Sequence, residues 1–201
     1  MTKRPVVFDT DPGVDDFFAW MLLNSSELFD IRAVTTVPGN QSLETVTRNA
    51  QGIYKLFGMS GTRLAQGSPR HMIRKLDIPT VHGPTGLGSV SLDPGDVKVD
   101  DKRAWDVIFE EAVKAKGELE LVAVGPLSNL GIAFFKYPEL KTMIKHITIM
   151  GGSIDAGNMG PFGEANICHD PHAADVVFKT GIPITMVGLN ALPPCAMPRA
   201  E

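Results

Sequence analysis

The chain has 201 residues, 43% hydrophobic and 21% charged, with 19 Lys and Arg against 23 Asp and Glu for a net charge of −4. That length supports one domain burying roughly 70% of its unfolded surface, and the composition excludes a disordered, collagen-like or coiled-coil chain. No segment concentrates basic residues, so neither a nucleic-acid partner nor an anionic membrane is expected.

Residues 5–8 read as a short buried strand ending at Asp9, and residues 14–23 carry enough large apolar side chains for a well-buried helix. The apolar run 17–23 falls far short of the roughly 20 residues of a membrane helix. Residues 31–37 are β-branched and strand-like, and Gly39 and Asn40 lead into a helix over 42–57, stopped by Gly58. A third strand is expected at 63–65. From 66 to 95 the chain is rich in Gly, Pro, Ser and Thr, a stretch long enough to predict a loop that touches a ligand or partner. Helices are expected at 104–116 and 127–136, the second ended by Tyr137 and Pro138, with a buried strand at 119–124 between them. Residues 147–150 form the next strand, 151–163 hold five glycines and one proline, 171–179 form a helix and 182–187 the last strand.

This alternation predicts a single α/β domain over 1–201 with a mostly parallel sheet and helices on both faces. The run Pro193, Pro194, Cys195, Ala196, Met197, Pro198 can enter neither a helix interior nor a central strand, so the domain is expected to be shortened at its carboxyl end. Cys168 and Cys195 match no metal or redox spacing, and residues 1–11 contain no secretory apolar core. Ordinary thiols in a reducing compartment, the cytoplasm, are expected.

DTDPGVDD places Asp9, Asp11, Asp15 and Asp16 within eight residues, where the first strand hands over to the first helix. In an open parallel sheet the ligand crevice lies at the carboxyl ends of the strands. Four close like charges repel unless a cation neutralises them, and an oxygen-only ligand set suits calcium or magnesium, with Pro12 and Gly13 supplying the turn. Helix capping accounts for one or two of these acids, not four. An aspartate pair after a first strand also resembles haloacid-dehalogenase-like phosphatases, whose first Asp accepts a phosphoryl group; MGGSID at 150–155 is a poor match to the downstream acidic motif of that family.

Six motifs, in order and spacing, resemble the inosine-uridine-preferring nucleoside hydrolases: VVFDTDPGVDD at 6–16, VPGN at 37–40, HGPTGLG at 82–88, VGPLSNL at 124–130, MGG at 150–152 and GEANICHDPHAAD at 163–175. The resemblance covers 6–189. It implies a doubly wound α/β fold and hydrolysis of the N-glycosidic bond of purine or pyrimidine ribonucleosides with bound Ca2+. By position, Asp11 and Asp16 would be calcium ligands, with the Val124 main-chain carbonyl a third, and Asp11 the general base on the water. Asp15 and Asn166 would hold the ribose 2′- and 3′-hydroxyls, and Asn158 and Glu164 the 5′-hydroxyl. Asn40 would lie beside the ribose and the attacking water, Met150 would line the ribose pocket, His82 would lie near the site, and Asp9 would brace the loop from behind. The family also implies dimers or tetramers.

The chemistry is coherent with those residue types. Glycosidic cleavage passes through an oxocarbenium-like state, which needs a positioned water, nearby carboxylates and a path for the leaving group. Without the resemblance, Asn158, Glu164 and Asn166 read equally well as turn residues, Met150 as core and His82 as a loop packing residue; His146, His169 and His172 carry no assigned chemistry. The chain departs from the family at Thr85, where an acid is usual, and at Asn190, where Asp follows the last strand. A third departure is the family's later His–Asp pair, which this chain does not include: it supplies a leaving-group acid and a calcium ligand. Loss of the acid would cost about 10²- to 10⁴-fold for a poor leaving group. A non-catalytic calcium- or nucleoside-binding relative is the alternative expectation.

Overall fold

Six strands and six helices alternate along the computed structural model, which describes residues 2–79 and 81–192; the run from Pro193 to Pro198, including Cys195, lies outside the described residues. In order they are β1 (Arg4–Thr10), α1 (Val14–Ser25), β2 (Phe29–Thr36), α2 (Leu43–Leu56), β3 (Arg63–Gln66), α3 (Ala104–Ala115), β4 (Leu119–Ala123), α4 (Ser128–Lys136), β5 (Ile144–Met150), α5 (Ala165–His169), α6 (Pro171–Phe178) and β6 (Ile184–Val187). The sheet order is β3-β2-β1-β4-β5-β6 and every pairing is parallel. Winding runs outward from β1 in one direction and from β4 in the other. The point where it reverses, between the carboxyl ends of β1 and β4, is where such a sheet opens a crevice.

Strand side chains alternate between two apolar layers. Phe8, Ile31, Val34 and Leu64 pack with Trp20 of α1 and with Ala50 and Ile53 of α2. Val7, Ala33, Leu121 and Ile147 pack on the other face with Val107 and Ile108 of α3, Leu130 of α4, and Ala173 and Val177 of α6. Each large side chain buried this way contributes roughly 1.5–3 kcal/mol, which makes these layers the rigid base for the loops above.

Helix α2 follows from its pattern: Leu43, Val46, Thr47, Ala50 and Ile53 are buried at helical spacing, and the Ser42 hydroxyl accepts from the Thr45 amide at its start. Helix α1 corrects an expectation. Only Asp16 and Trp20 are buried along it, and Leu22 is 66% exposed, because its apolar residues are spread around the cylinder rather than gathered on one stripe. Strand β5 begins three residues before the expected 147–150 segment, and β6 starts at Ile184 rather than at 182. Among the described residues of 67–99 there is no helix or strand, so the loop expected at 66–95 starts one residue later and runs four further; Asp100 then bridges to Ala65. Among the described residues no helix is long and apolar enough to cross a membrane.

Candidate active site

The acidic loop leaves β1 at the reversal point. Asp9 is buried; its Oδ1 accepts from Thr35 Oγ1 of β2 and from Asn129 Nδ2 of α4 (2.8 Å), while its Oδ2 has no partner. Burial pushes its carboxyl up to about 7 in spite of those two donors. Asp11 is 1% exposed. Its Oδ2 accepts from the Asn40 backbone amide at 2.8 Å, and its Oδ1 is buried with no partner. Burial, then the charges of Asp16 and Asp15, raise its carboxyl well above the usual range. The carboxylate lies between the backbones of Gly39 and Gly125, where a Cβ on either would overlap its oxygens.

Asp16 is also buried, on the first turn of α1. Its Oδ1 accepts from Thr10 Oγ1 (2.7 Å), and its Oδ2 from the Gly13 amide (2.9 Å) and Asn40 Nδ2 (3.2 Å). Burial and the neighbouring Asp15 charge push its carboxyl up. Asp15 points outward, 76% exposed, with its Oδ1 3.9 Å from His82 Nδ1. The His82 ring packs over Gly13, and Asn40 ties the loop together by also donating to the Asp11 carbonyl (3.0 Å). The structure therefore gathers Asp9, Asp11, Asp15, Asp16, Asn40 and His82 in one place. Thr85, where the family pattern has an acid, orders its own loop: its hydroxyl bonds the Val90 carbonyl at 3.0 Å and accepts from the Leu87 amide at 3.3 Å.

The opposite wall comes from β4, β5 and α5. The Val124 amide donates to the Asp9 carbonyl (2.9 Å), and the Val124 carbonyl accepts from Asn166 Nδ2 (2.8 Å), which also reaches the Met150 carbonyl (3.2 Å) and sulfur (3.3 Å). Val124, Met150 and Asn166 thus meet. Glu164 caps α5: its Oε2 accepts from the amides of Gly152 (3.0 Å) and Ile167 (3.1 Å), its Oε1 from that of Asn166 (2.9 Å). The Asn158 Oδ1 accepts from the Ala165 amide (2.8 Å) while the residue stays exposed. In the structure both side chains brace the Gly-rich loop, the reading open to them without the resemblance.

Among the described residues no three His, Cys, Asp or Glu side chains converge as a metal cluster. The reversal point instead offers two carboxylates: Asp11, against the Gly125 backbone, and Asp16, tied to it through Asn40. Three features fit a hard divalent cation: oxygen-only donors, an unpartnered buried oxygen on Asp11, and burial together with neighbouring carboxylate charge that raises the acids.

Several residues that organise this site were not singled out from sequence. Asn129 and Ser128 lie inside the VGPLSNL motif and Asp170 inside GEANICHDPHAAD, so the signal was present. Asn129 Oδ1 accepts from the Ser68 amide (3.1 Å) while its Nδ2 holds Asp9 and the Thr36 carbonyl (3.0 Å). Asp170 accepts from Ser128 Oγ (2.6 Å) and from the amides of Met72 (2.7 Å) and Ala173 (3.1 Å). His71 had no signal: it is buried, its Nδ1 lies 3.1 Å from Ser128 Oγ, and its ring stacks on His169 at 5.5 Å.

Comparison with known proteins places the chain in a family. Residues 6–201 match the family described as inosine-uridine preferring nucleoside hydrolase. The chain is 41% identical over 189 residues to the pyrimidine-specific ribonucleoside hydrolase RihA of Photobacterium profundum, covering 94% of this chain and 61% of that protein. It is 35% identical to the inosine-uridine preferring nucleoside hydrolase of Leishmania major, covering 93% and 60%. Among solved structures, a plant nucleoside hydrolase, PpNRh1, superposes with a TM-score of 0.89 at 35% identity, covering 94% of this chain and 61% of that one. A purine-preferring ribonucleoside hydrolase from Gardnerella vaginalis gives 0.87 at 33%, covering 93% and 61%. The chain thus spans about three fifths of the length of these relatives. The match sets aside the phosphatase reading of the aspartate pair, and the parallel six-stranded sheet agrees with the doubly wound expectation: the chain belongs to the inosine-uridine preferring nucleoside hydrolase family.

Proposed function

We propose that the chain carries the catalytic half-site of a ribonucleoside hydrolase, cleaving the N-glycosidic bond of purine or pyrimidine ribonucleosides to free base and ribose, a reaction suited to nucleobase salvage. The observation that carries this reading is Asp11, buried at the reversal point with one oxygen held by Asn40 and the other unpartnered. A carboxylate with a raised proton affinity and a free lone pair accepts a proton from water. Asn40 fixes its direction. Asp15, exposed above the crevice, and Asn166, whose amide spans the ends of β4 and β5, supply acceptors and donors spaced around a sugar. The carboxylates lend negative charge beside the developing oxocarbenium.

Asp11, Asp16 and the Val124 carbonyl would hold Ca2+. When bound, that ion lowers the pKa of water in the site and offsets the repulsion among the aspartates.

Hydrolysis of p-nitrophenyl riboside tests the reading, because nitrophenolate leaves without protonation. Release that depends on calcium, stops with chelator and falls at least about 10³-fold in Asp11→Asn supports it. A folded chain that binds ribonucleoside but releases no nitrophenolate would replace it with the non-catalytic binding alternative.

A further inference from the structure

Helix α2 does more than cover the sheet. Asn49 lies on it, buried, and its Nδ2 donates to two backbone carbonyls from different loops: Pro12 of the acidic loop (3.3 Å) and Thr85 of the His82–Gly88 loop (2.8 Å). Just before the helix begins, Gln41 Nε2 donates to the Gly83 carbonyl at 3.1 Å. Gly86 sits so close to both amides that a Cβ there would come within 3.1 Å of Asn49 Nδ2 and of Gln41 Cγ, and its φ of +82° is one that glycine adopts freely. The same loop closes on itself through the Gly88 amide and the His82 carbonyl (2.8 Å), and it lays the His82 ring against Gly13, beside Asp15.

From this arrangement we propose that Asn49 is a positioning residue: by holding the Pro12 and Thr85 carbonyls on one amide group it fixes the His82 loop over the acidic loop, and so sets His82 and Asp15 before substrate arrives. The role rests on the ribonucleoside hydrolase reading for its catalytic consequence, but not for its structural one. A side chain with both amide protons committed to two loops contributes little to the apolar layer below. Its work is to remove the freedom of one loop relative to the other, which a ligand bridging them would otherwise have to restrict.

Asn49→Asp keeps the shape and removes both donors, placing an acceptor against two carbonyls. Asn49→Ser keeps one donor. Two readouts are taken: amide hydrogen exchange at residues 83–88 against that of α4, and KM and kcat for p-nitrophenyl riboside with calcium. In Asn49→Asp the 83–88 amides are expected to exchange about tenfold faster, the scale of one lost hydrogen bond, with α4 unchanged. KM rises about tenfold while kcat stays within about threefold, because contacts to the bound sugar serve ground and transition states alike. Asn49→Ser falls between, and it carries the test if Asn49→Asp does not fold. Exchange that accelerates equally across the sheet, or a loosened loop with KM unchanged, overturns the positioning role. If the unmodified chain releases no nitrophenolate, the hydrolase reading fails by itself, and exchange confined to 83–88 still decides whether Asn49 sets the loop.

Discussion

At the scale of single residues the molecule concentrates buried polar groups in two places, the acidic loop and the His71–His169 stack. The tautomer of His71 follows from its partners. Ser128 Oγ gives its proton to Asp170, so it accepts from His71 Nδ1–H, which leaves His71 Nε2 a bare lone pair buried without a partner, as His169 Nδ1 is also left. Burial lowers the proton affinity of both rings, joined at His71 by the neighbouring His169 and opposed there by Asp170; Asp77 and Glu164 oppose it at His169. In the unfolded chain both titrate near 6.5, so that state takes up protons first as pH falls. The histidine contribution to stability is therefore full above about 6.5 and is lost as pH drops through the lowered folded values. The raised aspartates of the acidic loop pull the opposite way over the same range, because the folded chain takes up their protons first. The histidine part is therefore read as a difference: from pH 7.5 to 5, His169→Phe, which keeps a ring on His71, should gain melting temperature relative to the unmodified chain, and a constant difference across that range would remove these histidines as a cause. The acids of DTDPGVDD were legible in the sequence because four like charges in eight residues demand an explanation. His71 was not, since a lone loop histidine looks the same whether it faces water or is buried against a helix that begins 57 residues away.

Elements were read most surely where periodicity and caps agreed, as in α2. In α1 the number of apolar residues does not predict burial, because they lie around the whole cylinder and only Asp16 and Trp20 are buried. Helix α5 gives no signal in the sequence: five residues span little more than one turn, too short for a 3.6-residue rhythm, and it exists because Glu164 caps it with two amide bonds and anchors the cap to Gly152 with a third. The junction of α5 with α6 depends in turn on Asp170, which caps α6 and ties it to α4 and to the chain after β3. Asp170→Ala leaves the Ser128 hydroxyl and the Met72 and Ala173 amides without an acceptor. The expected cost is about 3 kcal/mol, read as a lower urea midpoint at constant slope; a loss below about 1 kcal/mol would mean that water replaces the carboxylate easily.

For the molecule as a whole, strand alternation was enough to predict a parallel sheet wrapped on both faces, whereas the strand order was not legible without the family, since crossover direction leaves no local trace. Among the described residues β6 is the sheet's edge strand, paired only with β5, and Met186 stands 47% exposed on it. A bare strand with apolar side chains recruits another strand. Light scattering should show association that grows with concentration, and Met186→Lys should reduce it; association unaffected by that change would place the contact elsewhere. The reversal of winding has one more consequence. Asp9, Asp11, Asp15 and Asp16 lie before the long 67–99 loop, and Val124, Met150, Glu164 and Asn166 lie after it, with the two parts joined through the β1–β4 ladder from Val6–Glu120 to Asp9–Ala123 and the apolar layer beneath it. In genetic terms the loop is a crossover point. Recombination there between diverged copies would exchange the aspartate loop and the Val124–Asn166 wall as separate heritable modules, and the progeny would need to match that seam together with the Asn129 bonds to Asp9 and Thr36 that cross it.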